Sequence, residues 1–509
     1  MFRLIKAGLA VGLVGGLLVC IGMGVTADQK QPPNIVYILA DDMGYGDVSA
    51  NNPAGQIKTP FIDQLAAEGM RFTDAHSPSS VCTPTRYSLL TGRYPWRSRL
   101  PVGVLRGYSR TLIEPDRMTV ASLLKSNGYQ TAVVGKWHLG VDWQVTPGNE
   151  SLLNNPSYGI KAEMNPDHID FNKPPLAGPN TVGFDYSYIL PASLDMPPYF
   201  YLENHQITEI PTAYTKGSKP DTGYTGAFWR EGKMAPSFDF KGVLPTFITK
   251  AQAFLQKQTA KKPFFLYLPL AAPHTPWVPS DQYTGKSKVG EYGDFTEQVD
   301  AAVGQILETL KTNGLADNTI VIFASDNGPY WREDFIARFN HQSAGEFRGM
   351  KGDAFEGGHR IPFIVRWPGK VKAGSVSDAT TTLANLLATC NDLVSKKAAS
   401  LPEDSYSILP VLLGKSKTVP GQPAVVHSSS IGYYAIRKGD WKLIEGLGSG
   451  GFTVPKQLKP EAGGPTGQLY NLASDIGETR NLYQQNPEKV RELTELLTRI
   501  KQSKTKLTQ

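Results

Sequence analysis

The stretch NIVYILA at residues 34–40 is a continuous run of apolar and β-branched side chains, and Asp41 and Asp42 follow it directly. A run of this kind, bounded on its other side by Pro33, is typical of a strand that is buried on both faces in a parallel sheet. The stretch therefore predicts a central strand that ends in two carboxylates.

Three further apolar stretches have polar side chains at the same end. These are residues 129–134 with Lys136 and His138, residues 264–270 with His274, and residues 319–324 with Asp326 and Asn327. Helical periodicity precedes two of them, over residues 118–127 and 295–310. Because the carboxyl ends of parallel strands share one edge of a sheet, we expect these polar groups to meet there. The fold class is therefore α/β, with a large mixed, mostly parallel sheet sandwiched by helices.

The first 27 residues differ from the rest of the chain. They begin with Arg3 and Lys6, continue with an apolar segment rich in glycine, and end with small residues up to Ala27. This order is typical of a cleaved secretory signal peptide. A membrane anchor is the alternative, and the repeated glycines in a short segment disfavour it. We expect the mature protein to be secreted or periplasmic, with no membrane attachment after cleavage.

The remaining chain divides by pattern into two parts. Residues 28–415 hold the long strands and are expected to form the main domain, with long loops between residues 141 and 244, where Pro, Asn, Gly and Tyr replace any periodicity. Residues 416–509 hold short strand candidates and an amphipathic helix that begins at Pro487. They predict a small C-terminal α+β subdomain with an antiparallel sheet.

Composition excludes several classes of protein. A chain of 509 residues has room for a large core. Its net charge of +6 is spread along the chain, which does not indicate a nucleic-acid binder. Three cysteines, Cys20, Cys82 and Cys390, are too few for a disulfide framework. Since Cys20 lies in the signal segment, we expect no disulfide in the mature protein.

The polar strand ends offer metal ligands. Asp41, Asp42, Asp326 and Asn327 supply hard oxygen donors of the kind that calcium or magnesium prefers over zinc. Adjacent aspartates also occur in turns and helix caps, but two such groups at equivalent strand ends favour a metal site. The cations and imidazoles that could hold an anion and move protons are Arg86, Lys136, His138, His274 and Lys351.

The segment CTPTR at residues 82–86 matches a known maturation signature, Cys-x-Pro-x-Arg, and LTGR follows it at residues 90–93. Further blocks occur in family order: ADDMGYGD at residues 40–47, GKWH at 135–138, APHTP at 272–276, SDNG at 325–328 and KGD at 351–353. On these motifs the chain resembles the type I, formylglycine-dependent sulfatases of the alkaline phosphatase superfamily. The resemblance extends from Pro33 to about Leu482.

The resemblance implies a modified nucleophile and a metal. A formylglycine-generating maturation enzyme would oxidise Cys82 to an aldehyde, whose hydrate would attack the sulfur of a sulfate ester. One divalent cation, calcium with magnesium as the alternative, would be bound by Asp41, Asp42, Asp326, Asn327 and the modified Cys82. Residues 28–415 would then be the catalytic sulfatase domain.

The resemblance also implies roles for the surrounding side chains. Arg86, Lys136 and Lys351 would stabilise negative charge, and His274 and Lys351 would protonate the departing alcohol. His138 would take a proton from the hydrate so that sulfate leaves, and Ser193 would lie near the sulfate.

One block departs from the family pattern by carrying His359 within EGGHRIP, residues 356–362. This histidine either bonds to the backbone or contacts substrate. In the second case the sugar hydroxyls would be bound by His359 together with His168, Asp170, Arg332 or His341.

By resemblance, the function is hydrolysis of sulfate monoesters of a carbohydrate, with galactose or N-acetylgalactosamine sulfates as the leading candidates. Two alternatives stay open, a phosphate or phosphonate monoester hydrolase of the same superfold and a catalytically silent glycan-binding relative. The sugar, the sulfate position, endo or exo action and the oligomeric state also stay open.

Overall fold

The computed structural model describes residues 1, 31–155, 163–219, 226–394 and 402–507. The chain separates into two units, Met1–Gln31 and Pro32–Gln509, and the fold below is that of the second. Apart from Met1, the predicted signal peptide and its Cys20 lie outside the described residues. Within the described ranges, none of the helices combines the length and apolar character that crossing a membrane requires.

The strands and helices of this unit alternate along most of the chain. The strands are β1 (Asn34–Ala40), β2 (Met70–Phe72), β3 (Ala75–His76), β4 (Gln130–Lys136), β5 (Tyr186–Leu190), β6 (Leu202–Glu203), β7 (Gln206–Ile207), β8 (Ala213–Thr215), β9 (Gly232–Met234), β10 (Phe264–Pro269), β11 (Thr319–Ser325), β12 (Phe363–Arg366), β13 (Ser375–Ser377), β14 (Thr381–Thr382), β15 (Val425–Ser428), β16 (Tyr434–Lys438), β17 (Trp441–Ile444) and β18 (Gln468–Asn471). The helices are α1 (Pro60–Ala67), α2 (Cys82–Thr91), α3 (Val120–Ser126), α4 (Val243–Gln256), α5 (Gly290–Thr312), α6 (Glu333–Phe339), α7 (Glu356–His359), α8 (Leu386–Val394), α9 (Leu409–Leu412) and α10 (Pro487–Gln502).

The main sheet has the strand order β13-β2-β12-β11-β1-β10-β4-β5-β6-β7. Its five central strands, β11, β1, β10, β4 and β5, are parallel, and antiparallel pairs flank them on both sides. Every residue of β1 is buried, as its unbroken apolar sequence predicts. The prediction of a mixed, mostly parallel sheet is confirmed.

Two groups of helices cover the sheet. Helices α2, α3 and α8 pack together in one group, and α1, α4 and α5 pack together in the other. Strand β4 contacts α3 from the first group and α4 from the second, so the sheet lies between them. Local signals set the helix ends: Ser122 N donates to Thr119 Oγ1 at the start of α3, and Gly128 after its end takes a positive φ of 86°.

The structure corrects one prediction, which concerns the region between residues 141 and 244. It was expected to be loops, but β5 lies within it and pairs in parallel with β4, Lys136 opposite Leu190. Only five residues form β5, and its sequence YSYIL mixes polar and apolar side chains, so no long apolar run marks it. The short strands β6 to β9 also lie in this region.

The C-terminal part forms an antiparallel sheet in the order β15-β16-β17-β18, with α10 packed against it. Leu469 of the sheet and Leu493 and Leu497 of α10 share one buried apolar cluster. The predicted antiparallel subdomain is therefore confirmed, while its boundary at residue 416 stays a prediction. Cys82 and Cys390 are both free thiols and both buried, so the described residues contain no disulfide, as expected.

Candidate active site

The carboxyl ends of β1, β4, β10 and β11 bring the predicted polar residues together. Ala40 pairs with Ser325 in the parallel register of β1 and β11, and Asp41 and Asp326 follow these two residues. Cys82 is the first residue of α2, and Arg86 lies one turn further along the same helix. The sheet edge and the start of α2 therefore form one site.

Asp41 is surrounded by positive charge. Lys136 Nζ lies 2.6 Å from Asp41 Oδ2, and Arg86 Nη2 lies 3.4 Å from Asp41 Oδ1. Burial alone would raise the pKa of Asp41, but Lys136, His274 and Arg86 hold it well below its ordinary value. Asp41 is therefore a fully ionised carboxylate in the protein interior.

Arg86 holds the carboxylate of Asp326 by two hydrogen bonds. Its Nε and Nη2 donate to Asp326 Oδ2 at 3.0 and 2.8 Å, and its Nη1 donates to the carbonyl of Lys136 at 2.9 Å. Burial and the negative charge of Asp41 raise the pKa of Asp326 to about 7. Burial and the neighbouring charge of Asp41 thus oppose ionisation of Asp326, although Arg86 and Lys136 favour it.

The carboxylate of Asp42 has three polar neighbours on Asn327, Lys351 and His274. Asn327 Nδ2 donates to Asp42 Oδ1 at 2.7 Å, Lys351 Nζ lies 2.8 Å from Asp42 Oδ2, and His274 Nε2 lies 3.6 Å from the same oxygen. Asp42 has a positive φ of 65°, which costs conformational energy for a residue with a Cβ atom. The fold thus maintains an unfavourable backbone conformation that brings both Asp41 and Asp42 into the site.

The donor set fits a hard divalent cation. Ligand atoms of Asp41, Asp42, Cys82 and His274 all lie within 4.8 Å of one another. Asp41 Oδ1 and Asn327 Oδ1 are buried and accept no hydrogen bond. A buried acceptor without a partner costs about 1–3 kcal/mol, and a cation bound to both oxygens would remove that cost. Carboxylate and amide oxygens are calcium and magnesium ligands.

Cys82 lies among these groups with a buried side chain. Burial raises the pKa of its thiol to about 12, despite the nearby charges of Lys136 and Lys351. A thiol with this pKa is protonated at neutral pH and is a poor nucleophile.

One ring nitrogen of His138 has no hydrogen-bond partner among the described residues. Its Nε2 lies 3.0 Å from the carbonyl oxygen of Leu105 and carries the proton of that hydrogen bond, while its buried Nδ1 has no partner. Burial and the charges of Lys136 and Arg86 hold the pKa of His138 well below its ordinary value. The ring is therefore neutral, with a free lone pair on Nδ1, which is the state that a general base needs.

A cleft of about 280 Å³ opens onto these residues. Its lining includes the predicted residues Asp42, Cys82, His138, Ser193, His274 and Lys351. Arg86 and Asp326 lie deeper and are fully buried. The structure therefore brings together every predicted catalytic and metal-binding residue, with Ser193 among them.

Other residues of the cleft were missed from the sequence. Asp195 and Arg230, which form an ion pair, and Arg106, Tyr330 and Phe452 also line it. Phe452 comes from the C-terminal part, where Asp353 Oδ1 accepts a hydrogen bond from its backbone N at 2.7 Å. Asp353 belongs to the KGD block, but nothing in the sequence indicates that it reaches a residue almost 100 positions away.

His359 is not brought to the cleft, which corrects its assignment as a substrate-binding residue. Its ring is fully buried and stacks on His427 with centroids 3.4 Å apart. Its Nδ1 lies 3.0 Å from His76 Nδ1, and its Nε2 lies 3.1 Å from Lys442 Nζ. His359 therefore lies among His76, His427 and Lys442 rather than in the cleft lining, although Lys351 is only eight residues before it.

The other sugar-contact candidates also lie elsewhere in the described structure. The cleft lining does not include His168, Asp170, Arg332 or His341. His341 is buried, and its Nε2 lies 2.7 Å from Asp47 Oδ1.

Comparison with known proteins identifies the family. The Sulfatase family model matches residues 33–396. The chain is 36% identical over 512 residues to an N-acetylgalactosamine-6-O-sulfatase of Bacteroides thetaiotaomicron, covering 93% of this chain and 94% of that protein. It is 31% identical to arylsulfatase A of Homo sapiens over 93% of this chain and 87% of that protein. A solved structure from a study of glycosaminoglycan metabolism by Bacteroides thetaiotaomicron has a TM-score of 0.78 at 33% identity, covering 93% of this chain and 100% of that chain. The protein therefore belongs to the sulfatase family and is a sulfuric ester hydrolase.

Proposed function

We propose that this sulfatase hydrolyses the sulfate ester of a carbohydrate, of the galactose or N-acetylgalactosamine type, by means of a nucleophile made from Cys82. The observation that carries the proposal is the position of Cys82 in the cleft lining, next to Asp42, His138 and Lys351. The name of the Bacteroides relative supports the sugar type.

The nucleophile is formylglycine made from Cys82 by a maturation enzyme. When present, this aldehyde supplies, as its hydrate, a hydroxyl that can attack sulfur. The raised pKa of the unmodified thiol supports this assignment, because a protonated thiol is unsuited to the attack. We expect maturation to accompany export, so that the enzyme acts as a secreted or periplasmic protein.

A divalent cation, calcium or alternatively magnesium, would be held by Asp41, Asp42, Asp326, Asn327 and the modified residue 82. When bound, it supplies positive charge that acidifies a neighbouring hydroxyl and neutralises a sulfate oxygen. The buried Oδ1 atoms of Asp41 and Asn327, neither of which accepts a hydrogen bond from a described residue, support this ligand set.

Cations of the protein bind and orient the sulfate group. Lys136 and Lys351 both lie close enough to Cys82 to influence its pKa, so they would also act on a sulfuryl group attached there. Arg86 is held by two bonds to Asp326 and orients that carboxylate. Ser193 is buried in the cleft wall and would bind a sulfate oxygen through its hydroxyl.

Two proton transfers complete the reaction. His138 Nδ1 would take the proton whose removal releases sulfate and restores the aldehyde. His274 Nδ1 lies 2.5 Å from the carbonyl of Thr275, so its proton is on Nδ1 and a neutral ring has only an acceptor at Nε2. Asp42 and Asp41 favour the protonated form of Lys351, so we assign it as the main donor to the departing alcohol, assisted by His274 when protonated.

The test is sulfate release from defined sulfated mono- and oligosaccharides, including galactose and N-acetylgalactosamine sulfates. Matched phosphate and phosphonate monoesters are measured with the same enzyme preparation. We expect the higher kcat/KM for one sulfate regioisomer and no turnover by Cys82→Ala. Preference for a phosphorus ester would favour the monoester hydrolase alternative. Binding of glycan without any turnover, in protein with converted Cys82, would favour the silent relative.

A further inference from the structure

Three histidines lie together outside the catalytic cleft, in the cluster that contains His359. His76, His359 and His427 are at most 1% exposed, and one ring nitrogen of each lies within 4.8 Å of the other two. The lining of the cleft includes none of the three. Imidazoles are ligands for zinc, copper and nickel, whereas the oxygen donors of the cleft suit calcium. The cluster therefore has the chemistry of a second, different metal site.

The backbone around these histidines is fixed by hydrogen bonds between distant parts of the chain. The three rings belong to β3, α7 and β15. Ser77 N donates to the carbonyl of His359 at 2.8 Å, and Ser428 N donates to the carbonyl of Pro78 at 3.1 Å. The three segments thus meet through their backbones, which preorganises the side chains that they carry.

The surroundings of His76 select the nitrogen that can bind a metal. Asp74 Oδ1 lies 2.8 Å from His76 Nε2 and accepts the proton of that nitrogen. In the neutral ring the lone pair is then on Nδ1. A carboxylate bonded to the outer nitrogen is the usual partner of a metal-binding imidazole, which it orients.

The spacing of His76 and His359 also fits a shared ion. Their Nδ1 atoms lie 3.0 Å apart, and two lone pairs at this distance need a proton or a metal ion between them. Two nitrogens on one tetrahedral zinc ion, each at 2.0–2.1 Å from it, are about 3.3 Å apart. Coordination through Nδ1 leaves the proton of His359 on Nε2, which lies 3.3 Å from the carbonyl oxygen of Ala354 and can donate to it.

His427 distinguishes a metal site from a hydrogen-bonded pair. A proton between His76 and His359 accounts for these two rings, with Lys442 Nζ donating to His359 Nε2 at 3.1 Å. It leaves both buried nitrogens of His427 without a hydrogen-bond partner among the described residues. Buried polar groups are nearly always paired, so this ring lacks a ligand. Since His427 has no such hydrogen bond to lose, its ring can turn to bring a nitrogen to the ion.

The cations near the histidines are already paired with carboxylates. Lys442 Nζ lies 3.0 Å from Glu356 Oε1 and 2.8 Å from Glu478 Oε1. Arg360 Nη1 forms ion pairs with Asp74 and Glu356. These positive charges are therefore neutralised locally, and an ion bound by the imidazoles does not have to displace them.

We infer that His76, His359 and His427 together bind one zinc ion at a site separate from the catalytic cleft. The ion links β15 of the C-terminal sheet to β3 and α7. Its role is structural, because all three ligands are buried away from the cleft. The chain acquires the ion as it folds, and binding contributes to the stability of the folded state.

The first test is the zinc content of the folded protein, purified with zinc in the medium and then dialysed. We expect one zinc ion per chain in the wild type and roughly a tenfold loss in His427→Phe, which keeps an aromatic ring but has no ligand atom. His205→Ala, which removes an exposed histidine, is the matched control and should retain the zinc. Cys82→Ser should retain it too, which excludes the thiol of the catalytic cleft as its ligand. Full zinc content in folded His427→Phe would overturn the inference.

A second test needs only the wild type and so does not depend on the folding of any variant. X-ray absorption spectroscopy at the zinc edge identifies the ligands of the bound ion. We expect three imidazole nitrogens at about 2.0–2.1 Å. Fewer imidazoles, or a sulfur ligand, would contradict the site. A wild type that stays free of zinc after unfolding in urea and refolding with zinc would contradict it as well.

Stability provides a third test. Zinc should raise the urea concentration at the midpoint of unfolding for the wild type and His205→Ala but not for His427→Phe. Equal shifts in all three proteins would show that zinc acts elsewhere. None of these measurements involves turnover, so their outcome is independent of the proposed function.

Discussion

Lys351 Nζ lies 2.8 Å from Asp42 Oδ2, whereas the nearest nitrogen of His274 to that oxygen lies 3.6 Å away. Burial opposes the charge on Lys351, but Asp42 and Asp41 raise its pKa well above the ordinary value. Burial and the charge of Lys351 lower the pKa of His274. Of the two residues predicted to assist the leaving group, Lys351 is thus the one that the site favours in its protonated form.

Replacing Lys351 should therefore lower kcat most on substrates whose leaving alcohol must be protonated. For Lys351→Met we expect kcat on a sugar sulfate to fall by roughly 10²–10⁴, the range of general acid catalysis. On 4-nitrophenyl sulfate, whose leaving group is stable as an anion, the loss should be at least tenfold smaller. Lys241→Met is the control, since Lys241 is exposed and pairs with Asp281.

His274→Asn should show a smaller loss on the sugar sulfate than Lys351→Met, because neutral His274 has no proton on Nε2. Equal losses on both leaving groups for Lys351→Met would contradict its role as proton donor and leave only a role in binding charge.

The pH dependence of kcat/KM should reflect the protonation of His138. Burial and Lys136 hold its pKa well below 6.5 in the free protein, so the ring stays neutral as pH falls through 6.5. A base is lost only when pH falls through its folded-state pKa, so the part of the acidic limb of kcat/KM that depends on His138 should lie below pH 6.5. An acidic limb at or above pH 6.5 that disappears in His138→Ala would contradict the assignment.

Calcium should stabilise the protein through the predicted ligands. Binding to the folded state alone contributes about 2.7 kcal/mol at a ligand concentration of 100 Kd, so the melting temperature should rise with calcium and fall with chelator. Asp41→Asn should abolish the calcium-dependent part of this shift. Asp170→Asn, a carboxylate outside the cleft lining, should preserve it. An identical calcium response in wild type and Asp41→Asn would contradict the ligand set.

The sequence allowed the central sheet and the polar residues at its carboxyl edge to be predicted because both follow from short local signals. A fully buried parallel strand has a continuous apolar run, and the polar group after it must lie at the carboxyl edge. Strand β5 lacks such a run and owes its place to pairing with β4, so it could not be recognised.

The site residues that were missed or misplaced depend on long-range contacts. Phe452 reaches the cleft because Asp353 bonds its backbone, and His359 leaves it because α7 directs it toward His76 and His427. Neither relation has a signature in local sequence. The spacing of residues in the sequence predicts their positions along one helix or strand. It does not predict the contacts that Asp353 and His359 make with Phe452 and His427 of the C-terminal part.

The cluster around His359 should therefore matter for stability. Lys442 Nζ lies 3.0 Å from Glu356 Oε1 and 2.8 Å from Glu478 Oε1, all with fully buried side chains. Lys442→Met leaves two buried carboxylates without their shared cation and should lower the free energy of unfolding by about 3–5 kcal/mol in urea. Lys438→Met, which removes an exposed pair with Glu492, should cost at most about 1 kcal/mol. Similar costs for the two variants would show that the buried cluster contributes little.

The claim on which the catalytic account depends is that Cys82 acts as an aldehyde and not as a thiol. The most direct measurement is the mass of the peptide that contains Cys82, taken from protein purified from its native host and assayed for sulfate release. The account predicts the mass of formylglycine or its hydrate, in a fraction that rises in proportion to specific activity. An unmodified thiol throughout a preparation that releases sulfate at full rate would contradict it.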